Sequence, residues 1–284
     1  MKKFIRSSFT LLPAEKLLVF LLSKFPHNRL LKGVTPSNDY YPANSIRVCR
    51  RQGINYSLDI HDYQNWLLYF YSQSDSSFGV LNYLKKGDIV LDIGGNIGQT
   101  ALMMAKKMGN IGHIYSFEPY PSTFQQLKKN LSLNIGISNN IQSENAALGA
   151  TPDILTMYQD CVTNSGANRM VPKNFTTING QVKVPVSTID VFVQERRLNT
   201  VDFIKIDVEG FEMQVLKGGH HTLVNLKPRM FIELDDNNLR KQGSNAAELC
   251  GYLQSHGYTI YEEGRQEVFV IDKLSGPINI YCIT

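Results

Sequence analysis

Acidic side chains close three apolar runs in this 284-residue chain, and each is followed by a turn. Residues 89–98 read Ile-Val-Leu-Asp-Ile-Gly-Gly-Asn-Ile-Gly, and a helical-looking stretch from Gln99 to Ala105 follows at once. A buried strand, a tight glycine bend and a helix N-terminus in that order let backbone N–H groups face a bound nucleotide. Glu118 closes the next run, twenty residues after Gly98. That spacing suits a carboxylate accepting two hydrogen bonds from a ribose diol, and the charge would repel the 2′-phosphate of NADP. Asp92 stands ahead of the glycines, which follow G-x-N-x-G and not G-x-G-x-x-G. A pyrophosphate is disfavoured beside such a carboxylate, whereas a zwitterionic tail bearing a sulfonium is welcome. On charge, S-adenosylmethionine fits better than NAD.

The third run is Phe203-Ile204-Lys205-Ile206-Asp207-Val208-Glu209-Gly210-Phe211-Glu212. Strand alternation puts Lys205 and Asp207 on one face, with Asp207 where the strand ends. Open α/β sheets bind ligands outside the carboxyl ends of their strands, the edge that Asp92, Glu118 and Asp207 would share. Asp207 and Glu209 are candidates for a general base or a positioning role. Glu212 reads as a complement to the dipole of the next helix. A divalent ion shared by Asp207, Glu209 and Glu233 could lower a hydroxyl's pKa. No H-x-H or D-x-D-x-D spacing supports it, so no metal is expected. His220 and His221 read as a solvated helix surface, with a substrate-side base as the other option.

Taken together, these segments resemble the FkbM-type methyltransferases, a branch of the S-adenosylmethionine-dependent class I fold. The resemblance rests on Gly87-Asp88 with Val90 to Gly98, on Phe117-Glu118-Pro119, on Ala146-Ala147-Leu148-Gly149, and on Ile204 to Glu212. Leu216-Lys217-Gly218 and Pro228 to Glu233 extend it, so that it covers about residues 78–236, and Gly53 to Asp59 resembles a further element of bacterial members. It implies O-methylation of a hydroxyl on a sugar, glycolipid or secondary metabolite. By position, it implies that Asp92, Gly94, Gly95, Asn96 and Gly98 hold the methionine end of the cofactor and Glu118 the ribose. Pro119, Asn145 and Ala146 would line the adenine, Lys205, Asp207 and Glu209 would be the reacting groups, and Asp207 would also contact the cofactor. Gly95 stands where the commoner family pattern has Ala, a mild change expected to leave cofactor binding intact. An inactive S-adenosylmethionine-binding protein is the alternative outside catalysis. A nicotinamide oxidoreductase would need the G-x-G-x-x-G loop that the chain lacks.

To position these residues, strands and helices alternate from residue 89 onward. The reading is a Rossmann-like α/β fold: a doubly wound, mostly parallel sheet with an antiparallel C-terminal strand. Residues 78–284 form the catalytic domain in this reading, and residues 1–77 an N-terminal extension of helix and β-hairpin. Ile46–Val48 and Ile54–Leu58, separated by Gln52-Gly53, are the hairpin arms. Residues 151–190 look irregular, rich in Thr, Asn, Ser and Gly over 161–168 and 174–181, and could be a lid, a substrate loop or a passive surface.

With 43% apolar and 19% charged residues and a net charge of +4, the composition is that of a folded protein without a nucleic-acid partner. Cys49, Cys161, Cys250 and Cys282 form no C-x-x-C pair. Neither zinc nor a disulfide framework is expected, and a reducing, cytoplasmic setting fits. No pattern specifies an oligomeric state. Near the N-terminus, Pro13, Glu15 and Lys16 interrupt the apolar run, which leaves too short a stretch for a signal peptide or a membrane span. A helix packed on the body is preferred there, with peripheral membrane contact through residues 1–25 kept open by the positive flank.

Overall fold

A seven-stranded sheet carries the acidic strand ends. The computed structural model describes residues 6, 8–71, 76–109, 111–161, 164–170 and 181–284. The chain forms two compact units, one drawn from the chain up to Asp75 together with 160–166, the other from 76–159 and 167–284.

In the first unit, α1 (Leu12–Lys24) starts on a proline in its first turn, and α2 (Arg29–Val34) is capped by Asn28, whose Oδ1 accepts from the Leu30 and Leu31 N–H groups. Antiparallel β1 (Ile46–Arg51) and β2 (Ile54–Asp59) are joined by Gln52 and Gly53. Both turn residues are left-handed, at φ 51° and 81°, the backbone that matches a two-residue turn to the strand twist. Helix α3 (Tyr63–Tyr71) buries Trp66, Tyr69 and Phe70. Glu15 of α1 is fully buried and accepts from Arg47 Nε at 2.7 Å, Arg47 Nη2 at 3.0 Å and the Tyr69 hydroxyl at 2.9 Å. One satisfied carboxylate thus ties α1 to the hairpin and to α3.

The second unit opens with a 3₁₀ helix (Ser76–Tyr83) and β3 (Ile89–Ile93). It continues through α4 (Gln99–Met108), β4 (His113–Phe117), α5 (Pro121–Ser132), α6 (Ile135–Ser138) and β5 (Ile141–Glu144). After an intervening sheet come α7 (Ile189–Glu195), β10 (Phe203–Ile206), α8 (Glu212–Lys217), α9 (His220–Asn225) and β11 (Arg229–Leu234). The chain ends with α10 (Asp236–Lys241), α11 (Ala246–Ser255), β12 (Thr259–Glu262) and β13 (Ile278–Ile283). The order across the sheet is β12-β13-β11-β10-β3-β4-β5, with β13 antiparallel to both neighbours and the other neighbours parallel. Order reverses at β3, which puts the ligand crevice of such sheets above its carboxyl end.

Both faces of this sheet are covered, so its central strands β3 and β10 are almost wholly buried and are apolar apart from Asp92 and Lys205. Leu91, Ile93, Ile204, Ile206 and Ile232 pack against Leu216, Leu223 and Leu249 on one face. Val90, Phe203 and Phe231 meet Val80, Ala101, Met104 and Ala105 on the other. The Rossmann-like architecture and the antiparallel C-terminal strand are as the sequence predicts.

Residues 151–190 depart from the sequence reading. The stretch from Ile141 breaks after Glu144, and Ala147–Leu148 (β6) joins a second sheet of order β6-β9-β7-β8 with β7 (Asp153–Cys161), β8 (Asn164–Met170) and β9 (Val182–Ser187). Alternation in Val182-Lys183-Val184-Pro185-Val186 turns Val184 and Val186 inward onto Ala147, Met157 and Met170. That period-two signal is short, and polar neighbours mask it. Residues 171–180, most of the second polar stretch, lie outside the described residues, as do residues 1–5. No helix among the described residues is long and apolar enough to cross a membrane.

Candidate active site

Strand register sets the centre of the site. Asp92, next to last in β3, pairs with Lys205 on one side and Ser116 on the other. Its carboxylate is fully buried, with Oδ2 accepting from the Ser116 hydroxyl at 2.7 Å and Oδ1 3.7 Å from the Lys205 ammonium. Burial pushes the Asp92 carboxyl up, against the pull of Lys205 and the Ser116 hydrogen bond. Lys205 Nζ also donates to the Gly94 carbonyl at 2.8 Å and lies 3.3 Å from Asp207 Oδ2. Burial opposes this ammonium, but Asp207 and Asp92 more than offset it, so its pKa rises and it stays charged. At 3% exposure, Lys205 holds the loop and Asp207 in place.

The bend after β3 is shaped by two close approaches. Gly94 has φ 87°, and a Cβ there would lie 1.9 Å from the Asp207 carbonyl oxygen. Asn96 and Gly98 are also left-handed, at φ 46° and 83°, and Gly98 leads directly into α4. Gly94 and Gly95 both donate to the Phe117 carbonyl, which binds the bend to the end of β4. Glu118 then closes over it: Oε2 accepts from the Asn96 N–H at 2.9 Å and Oε1 from the Tyr120 N–H at 2.8 Å. Burial raises the Glu118 carboxyl to about 7 despite these bonds. Asn145 donates from Nδ2 to the carbonyls of Glu118 and Pro119 at 2.9 and 3.0 Å, which ties the chain between β5 and β6 to the end of β4. The structure therefore brings Asp92, the glycine bend, Glu118, Pro119 and Asn145 together at one edge.

After β10 the chain turns through Asp207 to Phe211 around a buried carboxylate. Glu212 Oε1 accepts from the N–H groups of Val208 and Gly210, at 3.1 and 3.0 Å. Glu212 therefore organises the turn, a larger role than the dipole complement read from sequence. Burial pushes its carboxyl up to about 7. Glu209, left-handed at φ 54°, accepts from Asn238 Nδ2 at 3.0 Å. On the neighbouring strand Glu233 is raised to about 9, first by the charge of Asp207, then by burial and by Glu209 and Glu212. Beside it a cavity of about 260 Å³ is lined by Glu233, Glu262, Glu263, Pro277, Ile278 and Asn279. Among the described residues no group of three or more His, Cys, Asp or Glu side chains could hold a metal ion.

Other sequence candidates go elsewhere. His220 Nδ1 lies 3.0 Å from His256 Nε2, and the His221 N–H donates to Asp190. Sequence reasoning missed Ser116 and Asn238, because each acts through a neighbour that only the fold supplies. It also undervalued Glu212.

A family model described as the methyltransferase FkbM domain matches residues 92–260. Among curated proteins, Methyltransferase 1 of Beauveria bassiana is 30% identical over 61% of this chain and 73% of its own length. Hexuronic acid methyltransferase AglP of Haloferax volcanii is 24% identical over 49% of this chain and 53% of its own. The 31-O-demethyl-FK506 methyltransferase FkbM of Streptomyces tacrolimicus is 23% identical over 63% and 76%.

Proposed function

The chain belongs to the FkbM methyltransferase family, and we propose that it transfers a methyl group from S-adenosylmethionine to a hydroxyl of a sugar, glycolipid or secondary metabolite. The observation that carries this reading is Asp207, held by Lys205 at the strand end directly beside the Gly94 bend. The residues present fit the cofactor. Asp92 Oδ1 and Asn96 Oδ1 are buried without a hydrogen-bond partner among the described residues, and the bend admits no Cβ at Gly94. Asp92 to Gly98 would hold the methionine end, Glu118 the ribose, and Pro119, Asn145 and Ala146 the adenine. When bound, the cofactor supplies an electrophilic methyl carbon.

The chain's own residues do the rest. Asp207, kept in place by the Lys205 ammonium, accepts the proton of the attacking hydroxyl. Glu209, fixed by Asn238, is the second candidate for that proton. Glu233, its carboxyl pushed up by the neighbouring charge of Asp207 and by burial, can donate a hydrogen bond to the acceptor when protonated. Carboxyl and amide groups around the cavity suit a polyhydroxylated acceptor, whose hydroxyls donate to them. Much of the rate gain comes from holding the hydroxyl in line with the methyl group.

Titration calorimetry with S-adenosylmethionine and with NAD tests the cofactor, and slow cofactor turnover tests the chemistry. We expect S-adenosylmethionine to bind both the parent and Asp207→Ala, with turnover reduced about a hundredfold or more in the variant. Binding of NAD alone would overturn the reading. Equal turnover in variant and parent would remove Asp207 from the mechanism.

A further inference from the structure

We propose that the outer face of α1 rests on an anionic lipid surface and holds the protein there peripherally. Helix α1 is apolar on two sides. Its inner side buries Leu18 and Leu22 beside Glu15. Its outer side presents Leu12, Leu17 and Phe20, and Leu11 and Phe25 extend the same apolar surface at either end. Each of these five side chains is more than half exposed, at 52–66%. Scattered exposed leucines need no explanation, but five large apolar side chains within fifteen residues form a patch.

Charge selects the occupant. Lys16 and Lys24 are exposed among these residues, and Lys24 Nζ sits 5.9 Å from the centre of the Phe20 ring. Arg29 and Lys32 of α2 continue the basic character beside Leu30, which is 81% exposed. Before Asp39 the sequence holds seven Lys or Arg (Lys2, Lys3, Arg6, Lys16, Lys24, Arg29 and Lys32) and a single acidic residue, Glu15. That one carboxylate is turned inward and neutralised by Arg47. Among the described residues before Asp39, the exposed charges are therefore all positive.

Apolar side chains that enter the headgroup boundary, flanked by lysines that meet anionic headgroups, are the chemistry of an interfacial helix. Thirteen residues lie along a surface for about 20 Å and are too short to cross a bilayer. A twofold pairing of this face with a second copy would oppose lysine to lysine, which disfavours it.

Flotation of the full chain with phosphatidylglycerol-containing vesicles and with pure phosphatidylcholine vesicles tests the proposal. The protein should float with the anionic vesicles, release with added salt, and stay behind with the neutral ones. Leu17→Ser with Phe20→Ser, and separately Lys16→Gln with Lys24→Gln, should each weaken vesicle binding at least about tenfold. All four side chains are exposed, so unfolding temperature and S-adenosylmethionine binding should not change. The two pairs remove different chemistry, so a folding defect in one leaves the other to decide. No binding to anionic vesicles at low salt would overturn the proposal, as would full binding by the Leu17/Phe20 variant. A doubled mass in solution that this variant abolishes, without vesicle binding, would assign the face to a second copy.

Discussion

Position 95 shows how one neighbour changes the meaning of a substitution. A Cβ on Gly95 would lie 2.2 Å from Ser116 Oγ, 3.1 Å from Leu127 Cδ1 and 3.5 Å from Asp92 Oδ2. Alanine there would push the serine hydroxyl off Asp92 and leave a buried carboxylate oxygen unpaired, at a cost of about 1–3 kcal/mol. Gly95→Ala should therefore lower the calorimetric unfolding temperature by several degrees and weaken S-adenosylmethionine binding. Adding Ser116→Ala should recover the room, though not the hydrogen bond. Spacing alone places Asp92, Glu118 and Asp207 at one edge. It says nothing of Ser116, because a cross-strand partner is set by register, which emerges only when β3 and β4 pair.

At the scale of an element, the turn after β10 is held by Glu212 from within. Glu212→Leu should free the Val208 and Gly210 N–H groups, while Glu212→Gln keeps an accepting oxygen for them. Hydrogen exchange should accelerate at Val208 and Gly210 in the leucine variant only. Turnover should fall with it, because Asp207 and Glu209 ride on that turn, whereas cofactor affinity should change little. The turn itself is legible in sequence as Glu209-Gly210 after a buried strand. What was not legible is that Glu212 folds back into it, since the same residue type at a helix start serves equally well in solvent. The second sheet was hidden for a related reason. Its alternating valines occupy only six residues, and its partner strand Asp153–Cys161 owes its place to tertiary pairing more than to its own pattern.

Buried carboxyls give the whole molecule a pH signature. Glu118 and Glu212 are pushed from an ordinary 4.5 up to about 7, so the folded state holds protons that the unfolded chain releases. Their contribution is most favourable below about 4.5 and is lost as pH rises towards 7, after which it is flat. Each pH unit in that window costs about 1.4 kcal/mol per carboxyl. Urea unfolding from pH 5 to 8 should show Glu118→Gln losing less stability across that window than the parent does. The mostly parallel sheet beside these groups was the most legible feature, because short, mainly apolar runs alternating with helical patterns admit few other arrangements.

Residues 278–283 sit between two strands that both precede them in the chain. As the polypeptide leaves the ribosome, β11 therefore presents a bare edge until nearly fifty further residues have been made. Helices α10 and α11 and the arm of β12 must wait in place, with the sheet still open on that side. Such an edge is a template for any extended segment nearby. Synthesis of this protein thus has a vulnerable interval, and it ends only when the final strand slides between its neighbours.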